Sequence, residues 1–193
     1  MSLISLIQKL MQRKAVVIGV VDNDIISRSL SRYLFVAQFV RGLVLDVGCG
    51  SSYGISIINR VAKGLNDVVG LDIDIDLLRY GKLLYNVDSL ILADARFLPF
   101  RQQTFDSIIC LELIEHLPKI GQIKLCRDLY NALKKDGLLF ISTPNKLWFS
   151  PFRKPLNPEH IKELYITDLI KILENSGFQR YQLYAMGDKK NFF

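Results

Sequence analysis

The residues of this chain whose types and spacing suit chemistry are four acids, two glycines and two histidines. Asp46, Gly48 and Gly50 sit in the stretch VLDVGCGSSYG, Val44 to Gly54, where an apolar run ends in a carboxylate and two glycines lead toward a helix. Glycine has no Cβ, so Gly48 and Gly50 can take positive φ and let a ligand lie against bare backbone, while the helix start beyond them supplies unpaired N–H groups. The dinucleotide pattern G-x-G-x-x-G is missed by one position, because Tyr53 stands where the third glycine belongs and Gly54 follows it. No Gly-Lys-Ser/Thr follows the turn, so the Walker pattern fails as well. Asp46 points the same way: a carboxylate beside the turn repels a pyrophosphate and favours a cation.

Three further acids end apolar runs: Asp72, Asp94 and Glu112. Asp72 lies 22 residues after Gly50, close to the ~20 expected of a carboxylate that accepts from ribose hydroxyls. Asp94 can accept from an exocyclic amine. Together with Asp46 they describe a site for a nucleoside carrying a cationic, phosphate-free tail. Two Glu-His pairs, Glu115-His116 and Glu159-His160, add groups that titrate near neutral pH, and either histidine can take a proton from a hydroxyl. Glutamate and histidine also ligate metals, but adjacent residues do not readily face one ion, so no metal site is expected.

Positioning these residues requires strands that end at one edge. Strands are expected at Leu43 to Val47, Val68 to Leu71, Leu90 to Leu92, Ser107 to Leu111 and Leu138 to Ile141, with a last one at Phe178 to Met186. Helices are expected at Ser2 to Lys14, Ser31 to Val40, Gly54 to Lys63, Asp76 to Asn86, Ile120 to Lys134 and Thr167 to Ser176. The alternation argues for an α/β fold, a doubly wound, mostly parallel sheet with helices on both faces, in which ligands bind outside the carboxyl ends of the strands.

At 193 residues and 22.1 kDa the chain is expected to form one domain, with residues 1–40 as a helical cap and 41–193 as the core. Cys49, Cys110 and Cys126 have no C-x-x-C spacing, which favours a reduced, cytoplasmic setting. The uncharged run Ala15 to Val21 is far too short to span a bilayer, and neither a transmembrane segment nor a signal peptide is expected. The helix Ser2 to Lys14 is amphipathic and basic, suited to capping the fold or to peripheral membrane contact. A net charge of +6 permits RNA or an anionic surface as partner without establishing either.

These residues resemble the class I S-adenosylmethionine-dependent methyltransferases, and the resemblance covers nearly the whole chain. VLDVGCGSSYG is similar to that family's glycine motif, GLDID to its ribose-binding acid, ADARFLPF to its adenine-contacting loop and FDSIICLELIEHL to its fourth strand. LKKDGLLFISTPN and PEHIKELYITDLIKILENSGF further resemble small-molecule methyltransferases of the ubiquinone-biosynthesis and sugar-linked type. The resemblance implies a Rossmann-like sheet of the seven-stranded type and S-adenosyl-L-methionine as cofactor. It places Asp46, Gly48, Cys49 and Gly50 at the methionine part, Asp72 with Ile73 at the ribose, Asp94 with Ala95 at the adenine and Glu112 at the pocket floor. This chain departs from the family in two places. Ser52 stands where a third glycine is common; a serine fits there if its φ is negative, and it is expected to narrow the approach. The family's C-terminal antiparallel hairpin is cut short, leaving a sheet edge for a partner, such as a second copy, to cover.

No Asn/Asp-Pro-Pro-Tyr clamp follows the fourth strand, where Leu111-Glu112-Leu113 stands instead. In the family that clamp serves amino nitrogens, so methylation of an oxygen or carbon by in-line displacement is implied, on a lipid, quinone-like or sugar acceptor. Thr143 to His160, with four prolines and Trp148, Phe149 and Phe152 among basic residues, reads as a substrate lid. The same interleaving suits stacking on RNA bases, so a tRNA or rRNA methyltransferase is the alternative, and a non-catalytic cofactor-binding protein a third reading.

Overall fold

The computed structural model describes residues 5–6, 23–151 and 154–185. The expected helix over Ser2 to Lys14 lies outside them except for Ser5 and Leu6, which are helical, with Leu6 buried. The first described element, α1 (Asn23–Val36), starts and ends earlier than the sequence pattern suggests. There follow β1 (Gly42–Val47), α2 (Tyr53–Val61), β2 (Leu65–Asp72), α3 (Ile75–Tyr85), β3 (Leu90–Leu92), β4 (Phe105–Leu111), a 3₁₀ turn (Ile114–His116), α4 (Lys119–Ala132), β5 (Leu133–Ser142), a short helix α5 (Lys146–Phe149) and α6 (Ile166–Ser176).

The five strands form one sheet in the order β3-β2-β1-β4-β5, and every neighbouring pair is parallel. Central parallel strands are covered on both faces and so read as continuous apolar runs, which is why β1 and β4 stand out in the sequence. Successive side chains point to opposite faces. Val44 and Ile109 meet Val36 of α1, Ile55 and Ile58 of α2 and Leu78 of α3 in one core. Their neighbours Leu45 and Ile108 meet Leu125 and Leu129 of α4 and Leu169 and Leu173 of α6 in the other. The result is three layers, with the sheet in the middle.

The chain runs from β1 outward to β2 and β3, then crosses back to start β4 beside β1 and continues to β5. Strand order therefore reverses between β1 and β4. Open parallel sheets bind ligands at this crevice, and it brings the end of β1 beside the end of β4.

The sheet differs from the expectation at its far edge. Five strands, not seven, are present among the described residues, and the expected strand Phe178 to Met186 has no regular secondary structure through Ala185. Its alternation of aromatic and polar residues is strand-like, but a strand needs a partner ladder, and the outer side of β5 pairs with nothing among the described residues. Phe178 packs instead on Tyr130, ring centroids 5.1 Å apart, and Tyr184 on Phe35 at 4.8 Å. No helix among the described residues is long and apolar enough to cross a membrane.

Candidate active site

β1 ends in a turn that its glycines make possible. Gly48 and Gly50 have φ of 77° and 54°, and the N–H groups of Gly48 and Cys49 both donate to the Leu71 carbonyl, at 2.8 and 3.1 Å. A Cβ on Gly50 would meet nothing within 4 Å, so bare backbone faces open space there. Asp72, at the end of β2, locks the turn: Oδ2 accepts from Gly50 N–H and Oδ1 from Asp74 N–H, each at 2.8 Å. Asp74 in turn caps α3 by accepting from Asp76 N–H and Leu77 N–H. Burial lifts the Asp72 carboxyl above its ordinary range, while these backbone donors pull it down. Each carboxylate oxygen retains a second lone pair for a ligand hydroxyl.

The turn walls a cleft of about 170 Å³. Its other walls are Arg32 and Tyr33 of α1, Tyr53 at the start of α2, and Leu111 and Glu112 at the end of β4. Arg32 spans the cleft, its guanidinium 3.0 Å from Glu112 Oε2, while Glu112 Oε1 accepts from Ser142 Oγ at 2.8 Å. Glu112 holds this place with φ of +52°, a conformation that costs a β-carbon-bearing residue energy and is concentrated at functional sites. A larger cavity of about 390 Å³ lies between the loop at Phe97 and α4. None of the residues assigned from sequence lines it, and its charged residues Lys124 and Asp128 are paired with each other at 2.5 Å.

Asp46 does not open onto the cleft as expected. It is 1% exposed, lies behind the turn, accepts from the Tyr33 hydroxyl at 3.0 Å through Oδ2, and leaves Oδ1 without a partner. Burial pushes its carboxyl up from 3.8 to about 7, against the pull of the Tyr33 hydroxyl and with a small push from Asp72. The folded state thus holds this proton more tightly than the unfolded chain, so stability falls as pH rises through that window, by up to ~1.4 kcal/mol per pH unit. Asp46→Asn, followed by urea unfolding at pH 5 and pH 8, is expected to gain about 2 kcal/mol on the wild type between the two. Equal slopes in both proteins would show that the carboxyl is not held neutral.

Ser52 also departs from expectation. Its φ is +61°, not negative, and its side chain points away from the cleft toward α3, where a Cβ on Gly81 would overlap its hydroxyl. It therefore does not narrow the approach, and Ser51 faces the cleft instead. Ile73 is 67% exposed beside Asp72, and Ala95 is buried. Asp94 is gripped by Arg96, whose Nε lies 3.0 and 2.9 Å from its two oxygens and holds the carboxyl below its usual range. An amine reaching Asp94 shares it with that guanidinium. Burial pushes the Cys49 and Cys110 thiols up, so neither is a nucleophile at neutral pH.

Sequence reasoning missed Arg32, Tyr33 and Tyr53. For Arg32 and Tyr33 the available signal was the shortness of the link from α1 to β1, which keeps the helix close to the turn; for Tyr53 it was its place at the helix start beyond the two glycines.

The structure brings the two histidines together. His116 follows β4 on the 3₁₀ turn and His160 comes from the segment before α6, yet their rings are perpendicular with centroids 5.1 Å apart. His116 Nδ1 donates to the Glu159 carbonyl at 3.0 Å, and His160 Nδ1 donates to Glu163 Oε1 at 2.8 Å. Glu163 is buried and also accepts from Ser150 Oγ. Beside the rings sits Glu115, 0% exposed, whose Oε2 accepts from Thr143 Oγ1 at 2.9 Å and whose Oε1 has no partner. Burial, with the neighbouring Glu112 charge adding, pushes Glu115 up to about 8. The premise that adjacent residues would not face one ion fails here. One carboxylate oxygen of Glu115 and one ring nitrogen each of His116 and His160 lie within 4.8 Å of one another, because a distant segment supplies the third group. Glu159 is exposed and contributes only its backbone.

A doubly wound parallel sheet with a glycine turn, a strand-end acid and a cleft at the switch point defines the Rossmann-like cofactor-binding class. The chain belongs to the methyltransferase-domain family, whose model matches residues 22–183, and with it to the class I S-adenosylmethionine-dependent methyltransferases. It is 34% identical over 137 residues to a Mycolicibacterium smegmatis protein named a probable S-adenosylmethionine-dependent methyltransferase, covering 70% of this chain and 51% of that one. It is 30% identical over 148 residues to the ubiquinone biosynthesis O-methyltransferase of Histophilus somni, covering 69% and 60%. An Archaeoglobus fulgidus methyltransferase structure superposes with a TM-score of 0.65 at 20% identity over 92% of this chain and 75% of that one. The chain spans about half the length of the first three curated relatives. S-adenosylmethionine is the cofactor of this family; the bare backbone at Gly50 leaves room for its methionine part, and the remaining lone pairs of Asp72 suit its ribose hydroxyls.

Proposed function

We propose that the protein transfers a methyl group to an oxygen of a small molecule. The observation that carries this reading is the convergence of His116, His160 and Glu115 a few residues beyond Glu112, at the end of the strand that walls the cleft. Both imidazoles have Nδ1 engaged, which leaves each Nε2 lone pair to receive a proton from a hydroxyl. Bound S-adenosylmethionine supplies an electrophilic methyl on a sulfonium, and the chain's task is alignment and exclusion of water. Gly48, Cys49 and Gly50 hold the methionine part, with Arg32 at its carboxylate. Asp72 with Ile73 holds the ribose, Asp94 with Ala95 the adenine, and Glu112 closes the floor. Residues 41–193 form the core, 1–40 the cap and 143–160 the lid over the acceptor.

The acceptor is of the lipid, quinone-like or sugar hydroxyl class, which the Histophilus somni relative's name as an O-methyltransferase supports. Labelled-methyl transfer to fractionated small-molecule extracts is expected to mark a hydroxyl, with a loss of about a hundredfold or more in whichever of His116→Ala and His160→Ala removes the base, the lower end of a general base's contribution being ~10². Label appearing only in RNA would overturn the acceptor class. The RNA reading has one observation of its own: Trp148, 71% exposed, is followed in sequence by Phe149, also exposed, and six positions on by the exposed Lys154. Filter binding across a salt series separates the two, because phosphate contacts give a steep salt dependence. The non-catalytic reading loses one of its two motives, since Ser52 does not obstruct the cleft.

A further inference from the structure

We infer that Glu115, His116 and His160 form a three-ligand site for a borderline divalent cation of the Zn²⁺, Co²⁺ or Mn²⁺ kind, and that the ion fastens the lid segment to the core. Two imidazoles and a carboxylate are a donor set such ions take, leaving a coordination position for water or an acceptor oxygen. The groups already stand within 4.8 Å of one another. Bonds of ~2.1 Å would draw them in by roughly 1 Å, within the reach of side-chain adjustment.

Two independent features mark the cluster as built. Glu115 is fully buried, with Oε2 fixed by Thr143 and Oε1 left without a partner. A buried carboxylate oxygen with nothing to accept from is costly, and a cation placed between Glu115 and the two imidazoles would relieve that cost. Each histidine also has its outer nitrogen fixed, His116 by a backbone carbonyl and His160 by Glu163, the arrangement that orients metal-bound imidazoles and leaves Nε2 as the ligand. Glu115 and His116 come from the 3₁₀ turn and His160 from the lid side, so an ion bridges the two. The backbone contacts run alongside: the N–H groups of Ile161 and Lys162 both donate to the Glu115 carbonyl at 3.0 Å.

This deepens the proposed function by naming what meets the acceptor oxygen. In metal-loaded protein both Nε2 lone pairs are ligands, so neither imidazole is then the base. The test needs neither cofactor nor acceptor, so its failure is separable from failure of the methyltransferase reading. The full chain, stripped with chelator, is titrated with Co²⁺ and with Zn²⁺, following the Co²⁺ visible bands and the heat of binding. One equivalent is expected to bind, with affinity falling at least about thirtyfold in Glu115→Gln and in His160→Ala. Glu159→Gln should bind as the wild type does. Hydrogen exchange at Ile161 and Lys162 should slow when metal is added. Glu115→Gln is close to isosteric and keeps the test open if His160→Ala does not fold. No binding at millimolar metal, or binding indifferent to Glu115 and His160, overturns the site; unchanged exchange in bound protein overturns the fastening of the lid.

Discussion

Gly54→Ala is expected to destabilise the protein by about 3 kcal/mol and to abolish measurable cofactor binding, although alanine ordinarily strengthens a helix. Gly54 is buried at the start of α2, and a Cβ there would fall inside the ring of Tyr33. That ring is held on two sides and faces the cleft on a third. It packs edge-on against Tyr53 with centroids 5.4 Å apart, donates to Asp46 at 3.0 Å, and lines the cleft. Displacing it costs overpacking strain of ~1–3 kcal/mol and strips Asp46 of its one partner, a further ~1–3 kcal/mol. It also moves α1, which carries Arg32. The diagnostic is a double-mutant cycle: with Tyr33→Ala present, Gly54→Ala should cost less than about 1 kcal/mol, because the clash is gone. Additive effects in urea unfolding would show that the two residues do not compete for the same space.

Asp72→Ala is the second large effect, a loss of cofactor affinity of roughly 10–150-fold, equivalent to about 1.4–3 kcal/mol. Its carboxylate accepts from Gly50 and Asp74 N–H groups, so removal both deletes the ribose acceptor and loosens the glycine turn. Asp72→Asn keeps an oxygen in place and should lose less than Asp72→Ala. Calorimetric titration of the three proteins would rank them wild type, Asn, Ala. Unchanged affinity in Asp72→Ala would put the ribose elsewhere.

What could be read from the sequence divides along a physical line. Val44-Leu45 and Ile108-Ile109 announce strands because both faces of a central parallel strand are buried, and the acids that follow mark the edge at which those strands end. Asp72 was legible because spacing along a strand-turn-helix unit is local. Arg32 and Tyr33 were not, since helical periodicity reports which face is apolar and not what lies beneath the helix. Convergence of His116 with His160 depends on how the lid returns to the sheet, which no local pattern encodes. Ser52 was misread because its left-handed backbone is set by the turn around it and by its fit against α3. Phe178 to Ala185 has the composition of a strand, and composition is silent on whether an edge accepts it. For Asp94 the sequence points to an amine acceptor but does not show that Arg96, two residues on, shares the carboxylate.

The central claim is that the cleft between the β1 turn and α1 receives S-adenosylmethionine. The most direct test is isothermal titration of the full chain with S-adenosylmethionine, with nicotinamide dinucleotide as the control. One equivalent of S-adenosylmethionine should bind, and Gly50→Val, which fills the bare backbone, should remove that binding while the dinucleotide binds neither protein. Heat from the dinucleotide and none from S-adenosylmethionine, or S-adenosylmethionine binding undiminished in Gly50→Val, would contradict the account.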